Sequence, residues 1–246
     1  MFGVKDGFDI VIGNPPYINA NELKKNLGDN EYKQLKSLYS TAKGTVDFYV
    51  YFFEKALAVL CTNGVLSYIT PNKYLCANYG KALRYYFIQN TQILTLWDVS
   101  RNNVFDASIY PVVILLQKKK VLHEYSFICT DKDNIKRSFV SSQLTVFPDN
   151  IWGFLLSSKF DIANKILRRC DEITKYCKIN ATSTAAEADT FHSLIKENLP
   201  DGLKLVNTGT IDPFTSLWGK STLLDKGCRY LFPTLPNDEK LLGHNR

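Results

Sequence analysis

Proline and glycine are sparse, 9 and 13 in 246 residues, and neither builds a repeat or a low-complexity tract. That excludes collagen-like and linker-like chains, and a hydrophobic content of 45% excludes disorder. The six cysteines (Cys61, Cys76, Cys129, Cys170, Cys177 and Cys228) form no CxxC pair and have no histidine at ligand spacing. Structural zinc and a disulfide scaffold are therefore not expected, and reduced thiols are. Apolar runs are short: stretches such as Val112 to Leu116 fall far below the roughly 18 residues of a membrane span. No basic stretch followed by an apolar core opens the chain. A cytoplasmic protein with no membrane partner is the expectation.

What is present is length enough for one large domain or two smaller ones, and a net charge of +6. The charge is uneven. Residues 1–120 carry 14 Lys and Arg against 9 Asp and Glu, a balance of +5, while residues 121–246 carry 16 against 15, a balance of +1. A basic first half suits nucleic-acid contact without requiring it.

Phe8 to Ile12 (FDIVI) is a β-rich run closed by Gly13-Asn14-Pro15-Pro16, through which neither strand nor helix continues. It reads as a buried strand ending in a functional loop. From Asp47 to Cys61, Phe48, Phe52, Leu57 and Leu60 recur at helical spacing, and Asn63-Gly64 reads as the C-cap. Val65 to Ile69 reads as a second strand stopped by Pro71, followed by a helix near Asn78 to Gln89 and strands at Ile93 to Val99 and Val112 to Gln117. This alternation implies a parallel α/β sheet. Lys118-Lys119-Lys120 and the polar stretch from Asp131 to Lys136 mark a change of texture, with one more helix near Lys159 to Arg169. A domain boundary is expected between residues 120 and 150.

Asn14-Pro15-Pro16-Tyr17 is the strongest signal in the chain. At average residue usage a given string of these types arises by chance in roughly one chain per thousand of this length. One reading is a rigid strand-ending turn, which two prolines supply unaided. The other is chemical. Each proline holds its predecessor extended, so Pro16 keeps Pro15 extended and leaves the Pro15 carbonyl free to accept. The Asn14 side-chain oxygen is a second acceptor close by, and two convergent acceptors bind both N–H bonds of a planar amino group. The nitrogen lone pair is thereby drawn out of conjugation toward an electrophile. Tyr17 adds an aromatic face for the ring bearing the amine.

The segment FDIVIGNPPYI resembles motif IV of amino-group methyltransferases that use S-adenosylmethionine, in the N6-adenine DNA branch with the motif order called gamma. Asp47 to Leu57 resembles the motif V helix, Gly64 to Tyr74 motif VI, Tyr79 to Arg84 motif VII, and Val104 to Pro111 motif VIII. The blocks are most similar to TaqI-like methyltransferases and to the methylase part of type IIG restriction-modification enzymes. The resemblance implies a partial Rossmann-like α/β sheet, the C-terminal half of a catalytic domain, over residues 1–120. It places the antiparallel strand Val112 to Gln117 beside the sheet edge. Residues 121–149 would connect to a mixed α+β segment over 150–246, where Cys177 to Thr182, Val206 to Ile211, Trp218-Gly219 and Tyr230 to Pro233 resemble the opening of a TaqI-like specificity domain.

Carried onto this chain, the resemblance implies that Asn14 and Pro15 hold the amine of an adenine flipped from double-stranded DNA. Tyr17 would stack on that base and Phe105 would pack against it. Phe52 would lie along the adenine of the methyl donor, with Asn14 also beside the donor, and Lys73, Lys81 and Arg84 would meet phosphates. On pattern alone Phe52 equally fits the apolar face of a helix, and the basic residues a solvated surface. No two glycines stand in a GxG arrangement, so the donor-binding turn of the family is not found. The chain resembles a family member without its first half, as a fragment, a split gene or one subunit of a larger assembly, and on its own is expected to be inactive. No acidic-acidic-Lys nuclease site is found. Three alternatives stay open: a non-catalytic DNA-binding or specificity module, a methyltransferase acting on protein glutamine, and one acting on RNA adenine.

Overall fold

The computed structural model describes residues 6–102, 110–178, 191–213 and 215–237. They divide into two compact units, Met1–Cys170 and Asp171–Arg246. In the first, β1 (Phe8–Gly13) is followed by α1 (Ala20–Leu27), α2 (Asp29–Ser37), α3 (Tyr49–Val59) and β2 (Leu60–Pro71). Then come α4 (Lys81–Asn90), β3 (Gln92–Asp98), β4 (Pro111–Gln117), β5 (Ser126–Thr130), β6 (Lys136–Val140) and α5 (Phe160–Arg169). The six strands form one mixed sheet in the order β1-β2-β4-β3-β5-β6. β1 runs parallel to β2 and β3 to β5, while β4 is antiparallel to both its neighbours and β6 to β5. The chain is thus α/β, as its alternating pattern implies.

Four details depart from the sequence reading, each for a physical reason. β4 does not lie beside the edge but between β2 and β3. Its Val112, Ile114 and Leu116 are fully buried and its Val113 and Leu115 half-buried, and a run apolar on both faces belongs inside a sheet. β1, expected to be buried, is instead a sheet edge, with Ile10 64% and Ile12 77% exposed. Asn63-Gly64 does not cap α3. The helix ends at Val59 because Leu60 is already extended, its N–H reaching back to Ala56. Asn63 takes a φ of +65° inside β2, and a Cβ on Gly64 would stand 2.9 Å from the Phe8 carbonyl, where the β1–β2 register slips. Finally, residues 121–149, read as a connection, contribute β5 and β6 to the sheet, and the compact units part after Cys170.

The core of this unit gathers around α3, which is apolar on most of its circumference and buries Tyr49, Val50, Phe53, Ala56 and Leu57. The Phe53 ring meets Phe87 at 5.1 Å, Tyr68 at 5.2 Å and Tyr74 at 5.6 Å, and Phe87 stacks on Trp152 at 6.2 Å. α3 is thereby fixed behind the ends of β1 and β2. Among its described residues the second unit contains three small sheets. There Trp218 donates to the Pro233 carbonyl at 2.8 Å and packs edge-on against Phe232, while the Lys204 ammonium lies 4.6 Å from the Trp218 ring centre. Among the described residues no helix is long and apolar enough to cross a membrane.

The outer face of α3 holds the loop before it through one carboxylate. Glu54 accepts from the backbone and hydroxyl of Ser40, both at 2.9 Å, and from those of Thr41 at 2.9 and 2.6 Å. Burial alone would raise this carboxyl, but the four hydrogen bonds from Thr41 and Ser40 outweigh it and hold it below the ordinary value of 4.5. Because the folded carboxyl is the stronger acid, its contribution is full above that value and drains away as pH falls through the folded one. Glu54→Gln should lower the unfolding midpoint in urea at pH 7 and reduce the loss of stability between pH 5 and pH 3, with pH-resolved urea titrations as the check. An unchanged acid dependence would remove this role.

Candidate functional site

Parallel strands deliver their C-terminal ends to one side of a sheet, and loops leaving there form the crevice that ligands occupy in open α/β folds. Here that side holds the loop after β1, the loop after β2 and the start of β4. Gly13 pairs with Tyr68, and a Cβ on it would sit 3.0 Å from the Tyr68 ring. Beyond Gly13 the chain leaves the sheet as Asn14-Pro15-Pro16-Tyr17 with no regular structure until α1. Asn14 is exposed, Pro15 buried, Pro16 exposed and Tyr17 half-buried. Neither the Asn14 carboxamide nor the Pro15 carbonyl accepts a hydrogen bond among the described residues. The Tyr17 hydroxyl donates to the Ile69 carbonyl at 3.2 Å, pinning the loop to β2, and burial pushes its pKa up to about 12. Asn19 then caps α1 by accepting from the Glu22 N–H at 3.0 Å.

Beside Tyr17 lies a cavity of about 220 Å³. Tyr17 and Asn19 line it from the loop after β1, Asp47 and Tyr49 from the entry to α3, Pro71, Asn72 and Lys73 from the end of β2, and Tyr110 from the residue before β4. Two backbone bonds assemble these walls: Phe48 N–H to the Ile18 carbonyl and Asn72 N–H to the Tyr110 carbonyl, both 2.9 Å. Tyr79 donates its single hydroxyl proton to Asp47 Oδ2 at 2.8 Å, so Tyr49, 2.7 Å away, is the donor to the Tyr79 oxygen. Burial raises both phenols above the ordinary tyrosine value, which keeps them neutral donors. A second cavity of about 350 Å³ shares Asn72 and Lys73 and adds Leu75, Cys76, Asp98 and Phe154.

Residues 1–105 match the family described as Eco57I restriction-modification methylase. The type II methyltransferase M.BstVI of Geobacillus stearothermophilus is 28% identical over 114 residues, covering 46% of this chain and 20% of that protein. The type II restriction enzyme and methyltransferase RM.Eco57I of Escherichia coli is 31% identical over 113 residues, covering 46% of this chain and 11% of that protein. The chain therefore spans a fifth or less of the length of these relatives. Among solved structures, the type IIG restriction endonuclease BpuSI aligns with a TM-score of 0.46 at 16% identity, over 80% of this chain and 28% of that one.

Within the stretch that matches this family model, Tyr17 and Lys73 line the same cavity, and Asn14 and Pro15 stand three and two residues before Tyr17 on its loop. Phe52 lines neither cavity described above. It is half-buried on α3, its ring edge-on to Phe48 at 5.1 Å. Lys81 is exposed and paired with Asp149. Arg84 is the clear departure: it is fully buried, and its guanidinium is engaged by main-chain carbonyls, so it cannot reach a phosphate. Phe105 lies outside the described residues. Asp47, Tyr49, Asn72 and Tyr79 fall inside the segments that resemble motifs V, VI and VII, where the sequence alone gives them no role. The overlooked cue was a carboxylate opening an otherwise apolar helix.

Tyr79→Phe should cost about 1–3 kcal/mol, because it strips the Asp47 carboxylate and the buried Tyr49 hydroxyl of their shared partner. Lys81→Ala, which breaks an exposed ion pair, should cost no more than about 1 kcal/mol. Urea denaturation distinguishes the two, and equal small losses would mean that the tyrosine chain carries no weight.

Proposed function

We propose that this chain is the substrate-holding segment of a DNA adenine methyltransferase from a restriction-modification system, acting on the N6 amine of an adenine flipped out of the duplex. The observation that carries the reading is a pair of unspent acceptors, Asn14 Oδ1 and the Pro15 carbonyl, on a loop whose Tyr17 forms a wall of the cavity at the sheet's C-terminal side. A purine fits within about 220 Å³, and Tyr17 provides the face on which it stacks. The two acceptors take both N6–H bonds and aim the nitrogen lone pair outward. S-adenosylmethionine, when bound, supplies an electrophilic methyl on a sulfonium. The amine held by Asn14 and Pro15 would take up that methyl and release one of its protons to water. Extruding the base costs a few kcal/mol of stacking and pairing, which the Tyr17 face and the amine contacts offset.

The residues present fit the acceptor side better than the donor side. Asn14 is exposed at the end of β1 and Phe52 offers part of a ring, but the 13 glycines include no GxG turn. In this reading the segment works with a donor-binding half, in the same polypeptide or a companion subunit. The exposed edge of β1, with Phe8, Ile10 and Ile12 unburied, supports that. The second unit is read as belonging to a specificity region, and Lys73, which lines the cavity, as a phosphate contact.

The 246 residues alone should show no methyl transfer and only weak donor binding by calorimetry, and micromolar affinity would contradict this division of labour. Assayed with its donor-binding half, the protein should label adenine N6. Asn14→Ala should lower kcat by about 100-fold or more while DNA affinity stays within a few-fold, since one of two convergent acceptors is lost and stacking is kept. An unaffected Asn14→Ala enzyme would refute the mechanism.

A further inference from the structure

The segment from Asn72 to Gly80 begins with Asn72 and Lys73, the two residues that line both cavities, and it is braced by an unusual arrangement. Arg84 is 0% exposed and pairs with no carboxylate among the described residues. Its Nη1 donates to the carbonyls of Tyr74 and, at 3.1 Å, Ala77, and its Nη2 donates to the carbonyl of Asp149 at 3.0 Å. The first two lie on the segment that carries Asn72 and Lys73, without lining either cavity themselves. The third belongs to the turn Pro148–Asn150, where Asp149 and Asn150 adopt φ of +55° and +53°.

The neighbours of Arg84 serve the same segment. A Cβ on Gly80 would stand 2.1 Å from the Tyr74 oxygen and 2.7 Å from Arg84 Nη1, so only glycine lets the segment close over the guanidinium. Lys81 pairs with the Asp149 side chain, and Tyr79 reaches forward to Asp47 in the cavity. Stability alone is a weak reason for a buried cation, because apolar side chains of similar volume often replace buried charges without loss. A rigid planar fork is, however, well suited to fixing several carbonyls relative to one another.

We propose that Arg84 is a positioning residue of the base cavity, holding the Asn72–Gly80 segment against the Pro148–Asn150 turn so that Asn72 and Lys73 are fixed at the wall both cavities share. The inference rests on the reading that the smaller cavity seats a base. Arg84 touches no substrate. Its effect reaches the base through the backbone of Tyr74 and Ala77, and the string Tyr79-Gly80-Lys81-Ala82-Leu83-Arg84 is a brace rather than a phosphate site.

The test uses the full chain and a single-stranded penta-deoxyadenylate with 2-aminopurine at its centre, whose fluorescence is quenched on stacking. Binding is measured for the wild type, Arg84→Met and Arg84→Lys, together with amide hydrogen exchange across the chain. Arg84→Met should bind at least tenfold more weakly, and exchange should speed up at least tenfold within residues 72–80 while the core strands keep wild-type protection. Arg84→Lys should fall between the two. Unchanged affinity and exchange in a folded variant would overturn the proposal, as would faster exchange spread evenly through the core, which marks a purely structural residue. If Arg84→Met does not fold, Arg84→Lys decides by the same two readouts. A wild-type chain that leaves the probe unquenched would overturn the base-cavity reading itself, and it is told apart because it appears before any substitution.

Discussion

The parallel pairing of β1 with β2 is the constraint on which the site depends. Its register sets Gly13 against Tyr68, so the Asn14 loop leaves the sheet level with Ile69 and Thr70 and two residues short of Asn72. A slip of one residue would turn every side chain of β1 to the other face. The Tyr17 hydroxyl on the Ile69 carbonyl then locks the loop to that register. Because β2 also pairs with β4, matching Pro71 to Pro111, the same strand brings Tyr110 to the cavity from the other side. One strand thus brings together three of the four chain segments that line the cavity, the entry to α3 being the fourth.

Polar groups near this edge divide into those the fold consumes and those it leaves over. Asp47 Oδ2, Tyr49, Tyr79 and the two terminal nitrogens of Arg84 are consumed, bonded to one another or to the main chain. Asn14 Oδ1 and the Pro15 carbonyl are left over. Proline makes that possible, since a residue held extended by the proline that follows it has neither a helix nor a ladder to join. In the proposed reading, these two acceptors beside the half-buried Tyr17 ring are what a bound amine would use, because the fold itself spends neither of them.

Much of this was legible in the amino-acid order. Short apolar runs bounded by Gly, Asn and Pro located β1, β2, α4, β3, β4 and α5 to within a few residues, and the Asn14 to Tyr17 string stood out for its rarity and its acceptors. What failed to show was whatever depends on neighbours distant in sequence. The central place of β4 follows from pairing with two strands, one of them about forty residues earlier. Arg84 looks like any surface arginine until Tyr74, Ala77 and Asp149 are seen to converge on it. The exposure of β1 is likewise a property of the sheet order, not of FDIVI, which is as apolar as a buried strand.

The central claim is that a nucleobase sits on the Tyr17 face with its edge toward Asn14 and Pro15. Photocrosslinking tests it most directly, using a short single-stranded oligonucleotide with one 5-iodouracil in a run of deoxyadenosines, irradiated with the chain and followed by peptide mapping. The account predicts that the crosslink falls on Tyr17 and disappears in Tyr17→Ala. Crosslinks that fall instead on residues of the second unit, or that survive the loss of the Tyr17 ring, would contradict it.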